Sequence, residues 1–198
     1  FSKLPWRCIG TLPRPTQFIS PEEQKKSDFQ RNIAYGQYGV DQIIKEEKPD
    51  IYVGTEDIWA FDGFWKRPWW NKINSMIWTT LDSLPILQTA LDGAPHIKHF
   101  YTWASFASRE MNKLDHPHVK TLNGSLDTSK FFRLEDKERL KIRDKYKLPH
   151  KDFIIGFVFR NQLRKSIPNL LDGFKMFLER NPQSQAKLLL HTHWSEGW

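Results

Sequence analysis

The sequence predicts an α/β protein with two parallel, doubly wound sheets, both of them incomplete within its 198 residues. Short apolar segments that suit β-strands alternate with segments of helical periodicity, and this alternation restarts after a basic stretch at residues 133–151. Alternating strands and helices are typical of parallel sheets with helices on both faces. No apolar run approaches the roughly 20 residues that a membrane-spanning helix needs.

Residues 1–132 are predicted to form the first sheet. Apolar runs bounded by Pro, Gly, Asn or Asp mark its strands, and apolar residues at helical spacing mark its helices. The expected strands are 6–12, 51–54, 76–80, 96–103 and 119–122, and the expected helices are 28–47, 85–91 and 104–114. Cys8, the single cysteine, excludes an intramolecular disulfide, and we expect it to be a small buried residue.

Residues 133–151 are predicted to form a basic helix that links this domain to a second one over residues 152–198. The linker carries eight Lys and Arg against four Asp and Glu, and most of the net charge of +7 lies in the C-terminal third. Beyond the linker, a strand at 153–159 is apolar on both faces, a helix opens at Ser166, and another strand covers 187–191. The basic surface predicts an anionic partner.

Two strands and one helix are too few to close a doubly wound sheet. We therefore expect the chain to be a central piece of a two-domain protein whose sheets continue on either side of it. Unpaired apolar strand edges tend to associate. This predicts self-association, or pairing of the strand at 153–159 or at 188–190 with another chain.

The strongest candidate site is the turn between the strand at 153–159 and the helix that follows it. Ligands of open α/β sheets bind at the carboxyl ends of strands, and a helix N-terminus favours anions. Arg160 and Asn161 follow the strand directly, and Lys165 precedes the helix. Arg offers a planar fork to phosphate oxygens, and Lys offers a mobile positive charge. These residues suit a diphosphate, and a solvated basic loop is an equally good interpretation.

At these residues the chain resembles GT-B glycosyltransferases of the family 4 type, over most of its length from about Gln37 to Trp198. The start of that family's donor domain is similar to the strand at 153–159, Arg160-Asn161, Arg164-Lys165, 170–174 and 187–192. Landmarks of its acceptor domain are similar to residues 48–51, 80–82, 105–108 and 123–128. The order and spacing of these short motifs carry most of the resemblance.

The resemblance implies two Rossmann-like domains, an acceptor-side domain within 1–132 and a nucleotide-sugar donor domain that begins at 152. It implies retaining transfer of a sugar from a nucleotide sugar to an acceptor, with no required metal or other cofactor. In this family an Arg and a Lys in an R-x4-K pattern bind the donor diphosphate, and they match Arg160 and Lys165. Fixed cations there would stabilise the charge that develops on the leaving diphosphate.

The same resemblance leaves catalysis unassigned. The family's glycine-rich first loop is expected before Phe1, and its acidic E-x7-E element, which contacts the donor sugar and ribose, is expected beyond Trp198. We therefore expect this fragment to be inactive by itself, and we assign no nucleophile or general base.

The acceptor side offers weaker candidates. Asp57 and Asp82 follow two predicted strands and are candidates to hold an acceptor hydroxyl, although capping and turn formation are commoner roles for Asp there. Trp59 belongs to a tryptophan-rich stretch ending at Trp78. We interpret this stretch first as loop packing, then as a sugar platform or a membrane-surface contact. The expected acceptor is a carbohydrate or a lipid-linked molecule, and the expected location is the cytoplasm, peripheral to the membrane if the tryptophans contact lipid.

Two rival functions stay open. A non-enzymatic nucleic-acid-binding protein would fit the positive charge and the basic aromatic loop, but no nucleic-acid motif occurs, and we expect no nucleic-acid partner. A different Rossmann-type enzyme with a phosphate ligand is the other rival, although G-x-G-x-x-G is absent. The histidine pairs His116/His118 and His191/His193 lack a third ligand nearby in sequence, so we expect no metal site.

Overall fold

The computed structural model describes residues 5–11, 20, 22 and 35–193. The chain divides into two compact units, Phe1–Leu126 and Asp127–Trp198. Among the described residues, each unit contains parallel strands connected by helices, four strands in the first sheet and two in the second. The predicted α/β class is therefore confirmed.

The first unit follows the strand–helix alternation that its sequence predicts. Its regular elements are helix α1 (Val40–Glu47), strands β1 (Ile51–Thr55) and β2 (Asn74–Thr79), helix α2 (Gln88–Gly93), strand β3 (His99–Thr102), helix α3 (Ser105–Lys113) and strand β4 (Lys120–Thr121). Short 3-10 helices cover Ile58–Phe61, Phe64–Lys66 and Ala94–His96. The predicted strands at 51–54 and 76–80 match β1 and β2 to within two residues at either end.

The strands of this sheet lie side by side in chain order, β1-β2-β3-β4, and all are parallel. When parallel strands lie in sequential order and every crossover is right-handed, all the connections lie on the same face of the sheet. In β2 the side chains of Ser75, Ile77 and Thr79 are buried on that face. On the other face of β1, Ile51 and Val53 are 61% and 53% exposed. In a doubly wound sheet the strand order reverses at one point, and this reversal places helices on both faces. The described strands of the first sheet follow one another without a reversal. Helices on both faces of this sheet therefore remain a prediction.

One apolar cluster fills the buried face of the sheet. Its side chains come from the strands, the 3-10 helices, α2, α3 and the loops between these elements: Ile58, Phe61, Phe64, Trp65, Trp69, Trp70, Ile77, Leu81, Ile86, Ala90, Ala94, Ile97, Phe100, Ala107, Met111 and Val119. The packing is close at Gly54 of β1, where an added Cβ would lie 2.7 Å from the Phe61 ring and 2.8 Å from Ile77. Gly54 therefore lets the 3-10 helix approach the sheet.

The tryptophan-rich stretch is largely part of this core, which confirms loop packing as its main role. Trp65, Trp69 and Trp70 are buried. A buried indole needs an acceptor for its N–H. Nε1 of Trp70 donates to the carbonyl oxygen of His96 at 3.0 Å, and Nε1 of Trp69 donates to Asp41 at 2.6 Å.

Asp41 connects the first turn of α1 to this aromatic core. It accepts hydrogen bonds from Trp69 and from Arg67, and the Arg67 guanidinium lies 4.7 Å from the centre of the Phe64 ring. Burial raises the pKa of Asp41, but these hydrogen bonds and the charge of Arg67 outweigh that effect and leave the pKa below its ordinary value. Burial raises the pKa of Tyr52 nearby, so its hydroxyl stays neutral.

The second unit has the same kinds of element but almost no core. It contains helix α4 (Asp136–Lys145), strand β5 (Phe153–Val158), a 3-10 turn (Leu163–Lys165), helix α5 (Ile167–Arg180) and strand β6 (Ala186–His191). Strands β5 and β6 pair in parallel along their full length. Phe153 and Val158 are 71% and 77% exposed, and Ala186 is the one buried apolar residue in the described part of this unit.

Three expectations were wrong. The strand at 153–159 is apolar on both faces and was expected to lie in a buried sheet, but its side chains are exposed or half-buried because too few of the described elements cover them. Residues 5–11 contain no strand, where 6–12 was expected to form one, and Cys8 is exposed. The predicted helix at 28–47 begins at Val40 within the described residues, because Gly36 and Gly39 lie in turns before it; residues 28–34 lie outside them.

Candidate functional site

A cleft opens at the carboxyl ends of β5 and β6. Its volume is about 630 Å³, and it is lined by Val158, Phe159, Arg160, His191, Thr192 and His193. The strands end together because they are parallel and because N–H of Phe159 donates to the carbonyl oxygen of His191 at 3.2 Å, one residue beyond β5. The cleft therefore occupies the position at which open α/β sheets bind ligands.

The polar groups of this cleft come from both strands. Arg160 and His193 are exposed, which suits contact with a charged ligand. Thr192 lies between two histidines, and its buried Oγ1 has no hydrogen-bond partner within the part of the chain that the structure describes.

The residues predicted to bind a diphosphate lie at different places along the turn from β5 to α5. Arg160 lines the cleft described above, whereas Asn161 lines a second depression of about 480 Å³ formed with Leu163, Pro168 and Asp172 among others. Lys165 is half-buried at the end of the 3-10 turn and does not line either depression. Arg164 beside it is exposed.

Helix α5 begins where the sequence predicts, after Ser166. Ser166 has a left-handed backbone, with φ 49° and ψ 51°, and its hydroxyl does not cap the helix. Pro168 in the first turn has no backbone N–H, so this helix end has one donor fewer for an anion. An anion in the cleft would therefore depend mainly on side chains.

The acceptor-side candidates lie at the carboxyl edge of the first sheet, and the structure brings two of them together. Asp57 accepts a hydrogen bond from the indole of Trp59 at 3.2 Å and another from the hydroxyl of Thr80 at 2.5 Å. The bond from Thr80 joins the loop after β2 to the loop after β1. Each carboxylate oxygen accepts one bond and keeps a lone pair for another donor. Asp82 is exposed and lies farther along the loop after β2.

A stacked pair of tryptophans lies at the same edge of the first sheet. The rings of Trp78 and Trp103 are nearly parallel, at 13°, with centroids 4.6 Å apart. Nε1 of Trp78 donates to the carbonyl oxygen of Leu122 at 2.7 Å, and an added Cβ at Gly124 would lie 2.5 Å from the Trp103 ring. The pair therefore fixes the loop after β4 against the ends of β2 and β3.

No group of three His, Cys, Asp or Glu residues with the geometry of a metal site occurs in the described part of the chain. His116 and His118 contact each other edge to face, with ring centroids 6.1 Å apart. Nε2 of His118 lies 2.9 Å from the carbonyl oxygen of Ala94. This histidine pair therefore contributes to loop packing.

The sequence placed Thr80 and Thr192 only within the motifs 80–82 and 187–192, and it assigned no role at the site to either of them or to Trp103. All three come within two residues of the carboxyl end of a strand. That position is the feature of the sequence that could have marked them as site residues. Their partners depend on tertiary contacts, which a single sequence does not contain.

Comparison with known proteins does not identify the chain: no family model matches it, and no curated protein matches it either. Among the described residues, none of the helices has the length and apolar character required to cross a membrane.

Proposed function

We propose that this chain is part of a retaining glycosyltransferase of the GT-B type, with two Rossmann-like domains of which the second binds a nucleotide-sugar donor. The observation that carries the proposal is Arg160, which lines a cleft at the ends of two parallel strands. Lys165 completes the R-x4-K pattern before helix α5. The α/β class and parallel strands of both units are consistent with this assignment.

In this proposal the cleft holds the diphosphate of the donor. During transfer, the bond between the anomeric carbon and the diphosphate oxygen breaks, and the electron pair leaves with the nucleoside diphosphate. The acceptor oxygen forms the new bond and loses its proton. Negative charge increases on the leaving group, so cationic side chains stabilise the transition state more than the ground state. Arg160 and Lys165 are assigned this role.

The acceptor is proposed to be a carbohydrate or a lipid-linked molecule bound on the first unit. Asp57 and Trp59 are hydrogen-bonded to each other, and a carboxylate beside an aromatic ring suits a sugar. Asp82 is a second carboxylate candidate. Action in the cytoplasm, at the membrane periphery, and self-association through the exposed edges of β5 and β6 belong to the same proposal.

Calorimetric titration of the chain with UDP, GDP and ADP tests the donor site. Arg160→Ala should weaken binding by about 10- to 150-fold, as expected for loss of a hydrogen bond to a charged group. Lys165→Ala should act in the same direction, and the two losses should not add because both residues hold one diphosphate.

Arg164→Ala is the matched control for this titration. It removes the same positive charge from an exposed side chain of the same turn and should have a much smaller effect. The donor-site assignment would be wrong if Arg164→Ala had the largest effect while the Arg160 and Lys165 variants bound normally. Binding of a single-stranded oligonucleotide with no binding of any nucleoside diphosphate would instead favour a nucleic-acid-binding protein.

A further inference from the structure

Two histidines that the proposed function does not use line the cleft at the ends of β5 and β6. His191 is the last residue of β6, and His193 follows two positions later. Both are exposed and line the cleft together with Arg160. A neutral histidine donates a hydrogen bond from one ring nitrogen, and a protonated one donates from both and carries a positive charge. The cleft therefore suits an anion with several acceptor oxygens.

We propose that His191 is a further diphosphate-binding residue, which donates to a phosphate oxygen in its protonated form and strengthens binding as the pH falls. The class of ligand rests on the proposed function. The position rests on His191 and Arg160 lining one cleft.

The register of the two strands places His191 and Arg160 on the same face of the sheet. His191 pairs in register with Val158, and successive side chains of a strand alternate between the faces. Arg160 is two residues after Val158 and therefore returns to its face. The N–H of Phe159 donates to the carbonyl oxygen of His191, which continues the strand pairing towards Arg160. Val158 is 77% exposed, so this face is in contact with solvent at the strand ends.

The charges around His191 favour an anion. Among the described residues, the charged or titratable side chains that line the cleft are the arginine and the two histidines named above. The other charged residue in β5 and β6 is Lys187, which pairs with Asp152 at 3.9 Å at the amino ends of the strands. Lys165 and Asp172, from the turn and from α5, do not line this cleft. A bound diphosphate favours the charged form of a neighbouring histidine, so binding and protonation should reinforce each other.

The test uses P1,P2-dimethyl diphosphate, because its two negative charges stay constant over the range in which histidine changes charge. By calorimetry, the wild-type chain should bind it more tightly at pH 6 than at pH 8. His191→Gln keeps a neutral donor and cannot be protonated, so it should bind about fivefold more weakly than wild type at pH 6 and about equally at pH 8. His191→Lys is charged at both pH values and should bind tightly at both.

His150→Gln is the matched control. His150 is also an exposed histidine of the second unit, but it pairs with Asp144 at 2.6 Å and does not line the cleft. Its replacement should leave the affinity at both pH values unchanged. An equal loss of affinity in His150→Gln and His191→Gln would mean that the overall charge matters rather than contact with the ligand, and would overturn the proposal.

The outcomes separate this inference from the proposed function. If wild type and His191→Gln bound dimethyl diphosphate equally at pH 6, while Arg160→Ala bound UDP weakly, the role of His191 would be overturned and the donor site would stand. If dimethyl diphosphate bound with the expected dependence on His191 but UDP, GDP and ADP did not bind, the His191 site would stand and the glycosyltransferase proposal would fall. Failure of every probe to bind would overturn both.

Discussion

The two units of this chain contain similar elements and differ in what those elements bury. Phe100 in strand β3 of the first unit is 1% exposed, whereas Phe153 at the start of strand β5 of the second unit is 71% exposed. Helix α3 has nine residues and fully buries Ala107 and Met111, whereas the longer and more apolar α5 buries none. An apolar pattern therefore defines a face but does not determine whether anything covers it.

The physical reason is the number of elements that surround each strand. In the first unit, four strands, their helices and the aromatic 3-10 helices close around one cluster. In the described part of the second unit, two strands and one crossover helix leave every apolar side chain except that of Ala186 at least partly exposed. Stability should therefore be concentrated in the first unit, because burial of apolar area is the main favourable term in folding.

The largest expected difference between the two units comes from replacing Phe100 and Phe153, one at a time, with alanine. Phe100→Ala should destabilise the first unit by about 3–5 kcal/mol, because it removes a large side chain from a closed core and leaves a cavity. Phe153→Ala should change stability by no more than about 0.5 kcal/mol, because its ring is mostly in solvent. Urea unfolding followed by tryptophan fluorescence measures both. Equal losses would contradict the difference between the two units.

A second test uses a glycine at a comparable place in the first strand of each sheet. Gly54→Ala should cost about 1–3 kcal/mol, because the new Cβ would overlap the Phe61 ring and Ile77. Gly156→Ala in β5 meets no atom within 4 Å and should be neutral, or stabilising by up to about 1 kcal/mol. The two denaturant midpoints should therefore move in different directions or by clearly different amounts. A large loss at Gly156 would mean that β5 is covered in solution.

The smallest effect should come from the ion pair beside the aromatic core. Asp41→Asn should destabilise the first unit by about 0.5–1 kcal/mol, since the carboxylate is half-exposed and screened by solvent. Because the pKa of Asp41 is lowered in the folded state, its contribution is present at neutral pH. It is lost as the pH falls from the ordinary value of 3.8 through the lowered folded-state value. The difference between wild type and variant should shrink over that range.

Asp127→Asn is the control for Asp41. Hydrogen bonds from Ser129 and Lys130 lower the pKa of Asp127 in a similar way, but this residue lies in the second unit, outside the aromatic core. We expect no measurable change in stability from this substitution. If Asp127→Asn lowered stability as much as Asp41→Asn does, the position of the Asp41–Arg67 ion pair beside the core would not explain its contribution.

Much of the local structure could be predicted from the sequence because it depends on short-range signals. Pro49 and Asp50 precede β1, and Ser166 and Pro168 mark the start of α5, as expected. The predicted strand at 119–122 is shorter, only Lys120–Thr121, since strand ends depend on the neighbouring strand. The exposure of β5 was not predictable, because covering a strand requires elements far along the chain.

In the candidate site too, some features could be predicted from the sequence and others depend on tertiary contacts. The position of Arg160 after a strand is a property of the sequence, and the structure gives it a cleft. The hydrogen bond between Asp57 and Thr80 depends on how two loops fold against each other. No spacing rule in the sequence encodes this contact, since it joins loops after different strands.

The sequential strand order of the first sheet also has a consequence for biosynthesis. Each of β2, β3 and β4 pairs with the strand that precedes it in the chain. On a ribosome, the partner of every new strand has therefore already emerged, and the sheet can grow from its N-terminal strand as translation proceeds. Pairing between consecutive strands also keeps the closing loops short, which favours rapid folding. The order of the strands in space is thus the order in which they are made.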